Sequence, residues 1–270
     1  MATLRDQVER WRARETGTVR LRVRDPETGE ADIVELPAWL FRGERELYPT
    51  TCSFKYRLGL QGLSEEGQAE VLAATARLDL VLREHGLHPM YSASLLQHYG
   101  LPTELIDLTS SIDNAAAFAA EGNEGVGALY AFPTERLASN GKIIDLKAIH
   151  FAKRPRHQHA YVWFHDREPD LKAEALFGAV GAEVAHFDGD ADALAHYRRH
   201  HLKICGPAHT DPTSGLLHLL FRDRVLVDEV RKVRYAISDA ARTWIEARIP
   251  WAEVPMQLVG GGLEPAWERF

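Results

Sequence analysis

The chain has 270 residues, 45% apolar and 26% charged, a balance found in ordinary folded proteins rather than disordered or fibrous ones. Its 32 basic and 39 acidic residues leave a net charge of -7, which excludes coating of nucleic acid by bulk charge but allows a local basic groove. No apolar run approaches the ~20 residues that span a bilayer. Met1 to Gln7 lack the layout of a secretion signal, and Cys52 and Cys205 alone make a disulfide framework or a cysteine zinc site untenable. A cytoplasmic protein without membrane attachment is expected.

In chain order, residues 3 to 14 carry Leu4, Val8 and Trp11 at helical spacing. Val19 to Val23 alternate as a half-exposed strand, and Ile33 to Leu36 can be its hairpin mate across Asp25-Pro26 and Thr28-Gly29. Trp39-Leu40-Phe41-Arg42-Gly43 reads as a buried strand that delivers Arg42 to a surface or cleft. From Ser64 to Gly86 the pattern is a capped helix, and Ser92 to Tyr99 a shorter one ended by Gly100 and Pro102. Leu105 to Leu108 suggests a strand, followed by an alanine-rich helix capped at Ser111 or Asp113. Two further strands, Ala128 to Phe132 and Lys142 to Leu146, are predicted to join through a turn at Asn140-Gly141. Ala160 to Phe164 is another strand, and Ser238 to Ile249 a closing helix. Clustered strands favour an α+β fold, a mixed and mostly antiparallel sheet with flanking helices, over a doubly wound one.

The glycine loops of nucleotide-binding folds, the nucleophile elbow and the zincin motif are all absent. Thirteen histidines invite a metal reading, with His157 and His159 beside His150 and His165, and His196 with His200 at helical spacing. Spacing alone makes a solvated helix end the better reading of the second set, and no metal is expected.

Two segments are more specific. The first is Leu40-Phe41-Arg42-Gly43-Glu44 followed by Leu47-Tyr48-Pro49-Thr50; the second runs from Ser94-Leu95-Leu96-Gln97-His98-Tyr99-Gly100-Leu101-Pro102-Thr103 through Glu104-Leu105-Ile106-Asp107-Leu108-Thr109-Ser110-Ser111 into Ala115 to Ala119. Together they resemble the FRG domain of bacteria and their phages, over residues 38 to about 135 with a weaker extension to about 164. The family usually has arginine at the position of Glu104 and tryptophan at that of Leu108. With the helix and hairpin read above over 1–37, the resemblance implies an FRG core over 38–164, and the absence of a linker makes 165–270 an extension that completes the same globule.

The order of elements is also similar to that of ADP-ribosyltransferases, in which an arginine leaves the first core strand and a Ser/Thr element precedes a helix. This resemblance implies NAD as substrate and an effector, a toxin or an anti-phage protein, that modifies nucleic acid or protein. Cleaving the nicotinamide–ribose bond passes through an oxocarbenium-like state. Arg42 offers a planar charged fork for phosphate or ribose oxygens, and Gly43 allows close backbone approach to a ligand. Thr109 and Ser110 can bind ribose hydroxyls, Thr103 and Tyr99 can line the cofactor, and His98 and Tyr99 can stack on a ring or move a proton. Gln158 stands where a transferase places its glutamate; it can hold a hydroxyl but is no base, so Asp107 or His157 supplies one, positioning suffices, or the site binds without turnover.

Plainer readings stand beside these. Arg42 can pair with Asp107 or Glu44, Thr109 to Ser111 can be a helix cap, and His98 and Tyr99 can be core packing. The alternative function is a non-catalytic nucleotide or single-stranded nucleic-acid module, supported by the basic run Lys153 to Arg156 near Tyr161 and Trp163. Acceptor and oligomeric state are open at this level.

Overall fold

Thr3 sets the first helix, α1 (Leu4–Trp11), through a capping box in which its hydroxyl accepts from the Asp6 N–H and the Asp6 carboxylate accepts from its own. The computed structural model describes residues 2–24, 31–57, 62–84, 86–98, 100–148, 153–165, 170–205 and 232–248. It is mixed α+β with mostly antiparallel sheets. The chain divides into two compact units, each assembled from separate segments. One comprises Met1–Thr51, Asp107–Asp145 and Gln158–Cys205; the other comprises Cys52–Ile106, Leu146–His157 and Gly206–Phe270.

The first unit holds the described strands, except that β4 begins at Ile106, one residue before the segment Asp107–Asp145. The expected hairpin forms from β1 (Thr18–Arg24) and β2 (Ala31–Pro37), antiparallel, with Leu21 opposite Val34. The main sheet contains β3 (Trp39–Glu44), β4 (Ile106–Thr109), β5 (Val126–Pro133), β6 (Lys142–Asp145), β7 (Ala160–Phe164) and β8 (Glu183–Asp188), in the order β6-β7-β4-β3-β5-β8. β3 is therefore central, antiparallel to β4 on one side and to β5 on the other. The alanine-rich α5 (Ile112–Ala120) crosses one face, where Ile112, Ala115, Ala116 and Ala119 pack with Phe41, Leu129, Ala131, Phe187 and the α1 residues Leu4, Val8 and Trp11. Its small side chains let the helix lie so close that a Cβ on Gly43 would sit 1.9 Å from the Ala115 carbonyl oxygen.

The turn expected between β5 and β6 is not a hairpin. Residues 134 to 140 form a helix, α6 (Thr134–Asn140), and β6 pairs with β7 instead of β5. The strand β8 was not expected at all; it pairs antiparallel with β5 through Ala128 and His186. Two more helices complete this unit, α8 (Glu174–Val180) and α9 (Ala191–Cys205), the latter packed along α5.

Among the described residues, the α-helices of the second unit are α2 (Phe54–Arg57), α3 (Glu65–Glu84), α4 (Pro89–His98), α7 (Lys153–His157) and α10 (Asp239–Glu246). Ser64 accepts from the Gly67 N–H at the start of α3, and Gly86 takes a left-handed φ of 92° just past its end. Ser238 caps α10, which packs on α3, but that helix ends earlier than the expected Ile249, which lies outside the described residues. Among the described residues, no helix is long and apolar enough to cross a membrane.

Candidate functional site

Strand alternation decides where the site residues point. Phe41 and Gly43 face α5, so Arg42 and Glu44 project from the opposite face of the sheet. Tyr130 lies directly across from Arg42 on β5 and shares that face, its ring edge-on to Phe177 of α8.

Arg42 is held in place there. Its Nε donates to Glu44 Oε1 at 3.3 Å, and its Nη1 donates to the backbone carbonyl of Asp107 at 2.9 Å. Asp107 thus meets Arg42 through its main chain, and the acidic partner is Glu44. A guanidinium has five N–H donors. Two are engaged in these bonds, and the side chain keeps 13% of its surface exposed.

Glu44 is buried, yet ringed by donors. Thr51 Oγ1 donates to its Oε1 at 2.6 Å, and Lys172 Nζ to its Oε2 at 2.8 Å. Burial alone would push this carboxyl up, but the Arg42 charge and the bonds from Lys172 and Thr51 outweigh it and hold Glu44 below the ordinary carboxylate range. The same carboxylate, added to burial, pushes the Tyr130 phenol up and keeps it neutral. Lys172 also reaches the Tyr48 carbonyl at 2.5 Å and stands 5.0 Å from the centre of the Tyr130 ring. Asp170 fixes both chain segments by accepting from the Thr51 and Lys172 backbone N–H groups at 2.7 and 2.9 Å.

A second polar group forms on the α5 face. Thr109 is opposite Phe41 and shares its side of the sheet. Its hydroxyl donates to the Gln158 carbonyl at 2.7 Å and accepts from the Ser111 N–H at 3.0 Å, while Ser111 caps α5. Ser110 donates its backbone N–H to the carbonyl of His159, the one described non-glycine residue with positive φ, at 48°. Gln158, expected as a polar residue at a strand edge or at a ribose, is buried; its amide donates to the Ile204 carbonyl at 3.5 Å and to Cys205 Sγ at 3.3 Å.

Nearby on α9, His200 Nε2 lies 2.8 Å from Asn114 Oδ1, so this histidine packs against α5 as part of the helix seam. Burial pushes the His200 imidazole down. Arg12 closes the same seam with a two-pronged bond to Asp113 at 2.9 and 3.0 Å and holds that carboxyl low.

The structure therefore places Arg42 and Thr109 on adjacent strands of one sheet, with Gln158 in the turn before β7, and the pleat sends Arg42 to one face while Thr109, bonded to the Gln158 carbonyl, faces the other. Gly43, expected to face a ligand, has its open side filled by α5. His98 and Thr103 belong to the second unit. Both are buried, and Thr103 Oγ1 contacts Gln97 Oε1 and accepts from the Leu105 N–H at 3.3 Å. Tyr99 lies outside the described residues. Tyr161 and Trp163, read as stacking platforms for bases, are fully buried, bonded to Asp145 and to the Leu137 carbonyl. That burial removes the aromatic half of the nucleic-acid reading.

Residues 37–126 match the family model of the FRG domain, so the chain contains an FRG domain over that stretch. The match takes in Arg42, Gly43, His98, Tyr99, Thr103, Asp107, Thr109 and Ser110, and stops before Tyr130, Gln158 and Lys172. No curated protein and no solved structure matches the chain.

Proposed function

We propose that the protein is an NAD-dependent enzyme similar to ADP-ribosyltransferases, with the dinucleotide gripped at Arg42. One observation supports this best. Glu44 and the Asp107 carbonyl fix the guanidinium from behind, and a part of it stays exposed on the sheet face. A fixed, planar, permanently charged fork suits the two oxygens of a diphosphate, and its ordering is complete before the ligand arrives.

In the reaction the C1′–N bond of NAD breaks and its electron pair leaves with nicotinamide. The resulting oxocarbenium is attacked by an acceptor oxygen or nitrogen, which gives up its proton. Arg42 offsets the diphosphate charge and anchors the ribose next to the acceptor. The acceptor is a nucleic acid or a protein, as befits an effector acting in a toxin or anti-phage role. Glu44 orients Arg42 and is too fully bonded to serve as base, so positioning carries much of the rate.

The test incubates the purified protein with NAD labelled in its adenylate half and a cell lysate, alongside Arg42→Ala. Label on nucleic acid or protein together with free nicotinamide, both lost in Arg42→Ala, is the expected result. Saturable NAD binding that needs Arg42 but releases no nicotinamide would make the chain a nucleotide-binding module. Absence of both binding and release overturns the reading.

A further inference from the structure

A different set of side chains gathers at the end of α9, on the α5 side of the sheet, and the nucleotide reading makes no use of it. Cys205 and His201 are one helical turn apart, and His201 Nε2 lies 3.1 Å from Cys205 Sγ. The Gln158 amide donates to the same sulfur at 3.3 Å. The imidazole is held edge-to-face by Phe118, with ring centres 5.4 Å apart, and Glu121 places a carboxylate oxygen 3.9 Å from Nε2. A nucleophile, a base within hydrogen-bond reach, an aromatic ring that holds the base edge-on and an amide that steadies the sulfur anion make up an arrangement that activates a thiol.

We propose that Cys205 is a reactive thiol and a site of covalent oxidation by hydroperoxides, with His201 as its proton acceptor. The inference stands independently of NAD. In the step, His201 Nε2 takes the thiol proton as Sγ attacks one peroxide oxygen; the S–O bond forms and the O–O bond breaks. The leaving oxide recovers the proton from His201, so thiol and hydrogen peroxide give sulfenic acid and water. Sulfur is oxidised by two electrons and the peroxide is reduced by two. The carboxyl end of α9 disfavours an anion, so the thiolate depends on His201, whose positive form Glu121 supports, and on the Gln158 donor.

Cys52 is the built-in control, because neither cysteine is in a disulfide and both are half-buried. The full-length protein is treated with hydrogen peroxide and a sulfenic-acid trap, and each cysteine is followed by peptide mass spectrometry. Cys205 should be labelled about tenfold faster than Cys52 at neutral pH, since a thiol beside a base that takes its proton attacks a peroxide faster than one with no base in reach. His201→Gln should abolish that advantage and leave the Cys52 rate unchanged. If His201→Gln fails to fold, the pH dependence of iodoacetamide alkylation in the unaltered protein decides the matter. The Cys205 rate should then level off at a lower pH than the Cys52 rate. Equal rates at the two cysteines, or coincident pH profiles, overturn the proposal.

Discussion

Glu44 shows how a single buried residue can organise a site. A carboxylate with almost no exposed surface survives because two cations and a hydroxyl surround it. Replacing it with glutamine leaves Arg42 and Lys172 close together without their shared counter-charge, and should lower stability by about 3 kcal/mol. Urea unfolding would read this as a lower midpoint at unchanged slope. Acid gives the same residue a second signature. In the fold Glu44 binds its proton less tightly than in the unfolded chain, so its contribution is present above the ordinary carboxylate range near ~4 and is lost as pH falls below it. The gap between the unaltered protein and Glu44→Gln should therefore narrow below that pH, and a constant gap would show that Glu44 is not held ionised. The Arg42–Glu44 pair was legible in sequence, because residues two apart on a strand share a face. Lys172 was not, since 128 residues separate it from Glu44 and no local pattern links them. The positions of Tyr130 and Lys172 on the site face come from strand register and loop path, neither of which one sequence displays.

At the scale of elements, close approach of α5 to β3 fixes which face of the sheet Arg42 occupies. The space a side chain on Gly43 would need is taken by the backbone oxygen of Ala115 and the methyl of Ala119. Gly43→Ala must push α5 away from β3, an overpacking cost of about 1–3 kcal/mol. A lowered melting temperature with an intact overall spectrum is expected, and a neutral substitution would show that the helix does not lie this close. Elements governed by local chemistry were readable in advance: the β1–β2 hairpin by alternation, α3 and α10 by Ser64 and Ser238, and α5 by its alanines and Ser111. The misread elements had mixed local signals. Asn140-Gly141 looks like a hairpin turn, yet Thr134 to Asn140 is long enough to close helical turns and Leu137 is buried there. β8 turns only Ala185 and Phe187 inward, with Val184 exposed among polar residues, so its pairing with β5 settles what its own residues leave undecided.

The whole molecule sets a limit on what the FRG stretch can do alone. The matched residues, 37–126, are drawn from both compact units and complete neither. They supply β3, β4 and α5 but stop where β5 begins, so β3 loses its long antiparallel partner. They also lack the α1 residues Leu4, Val8 and Trp11 and the α9 residues Ala193, Leu194 and Tyr197, which share one core with Phe41 and the α5 alanines. Lys172, the second cation on Glu44, is missing as well. A central strand stripped of one neighbour presents unpaired backbone groups and an uncovered apolar face, a state that associates instead of folding. Residues 37–126 expressed by themselves should therefore show no cooperative unfolding transition, whereas the full chain should. Circular dichroism melts of the two would decide it. A cooperative melt from the short piece would mean that the motif carries its own core and that the surrounding segments, Lys172 included, were added around a site already formed. Loss of the transition would mean that Arg42 acquires its fixed geometry only when residues more than a hundred positions away close the sheet around it.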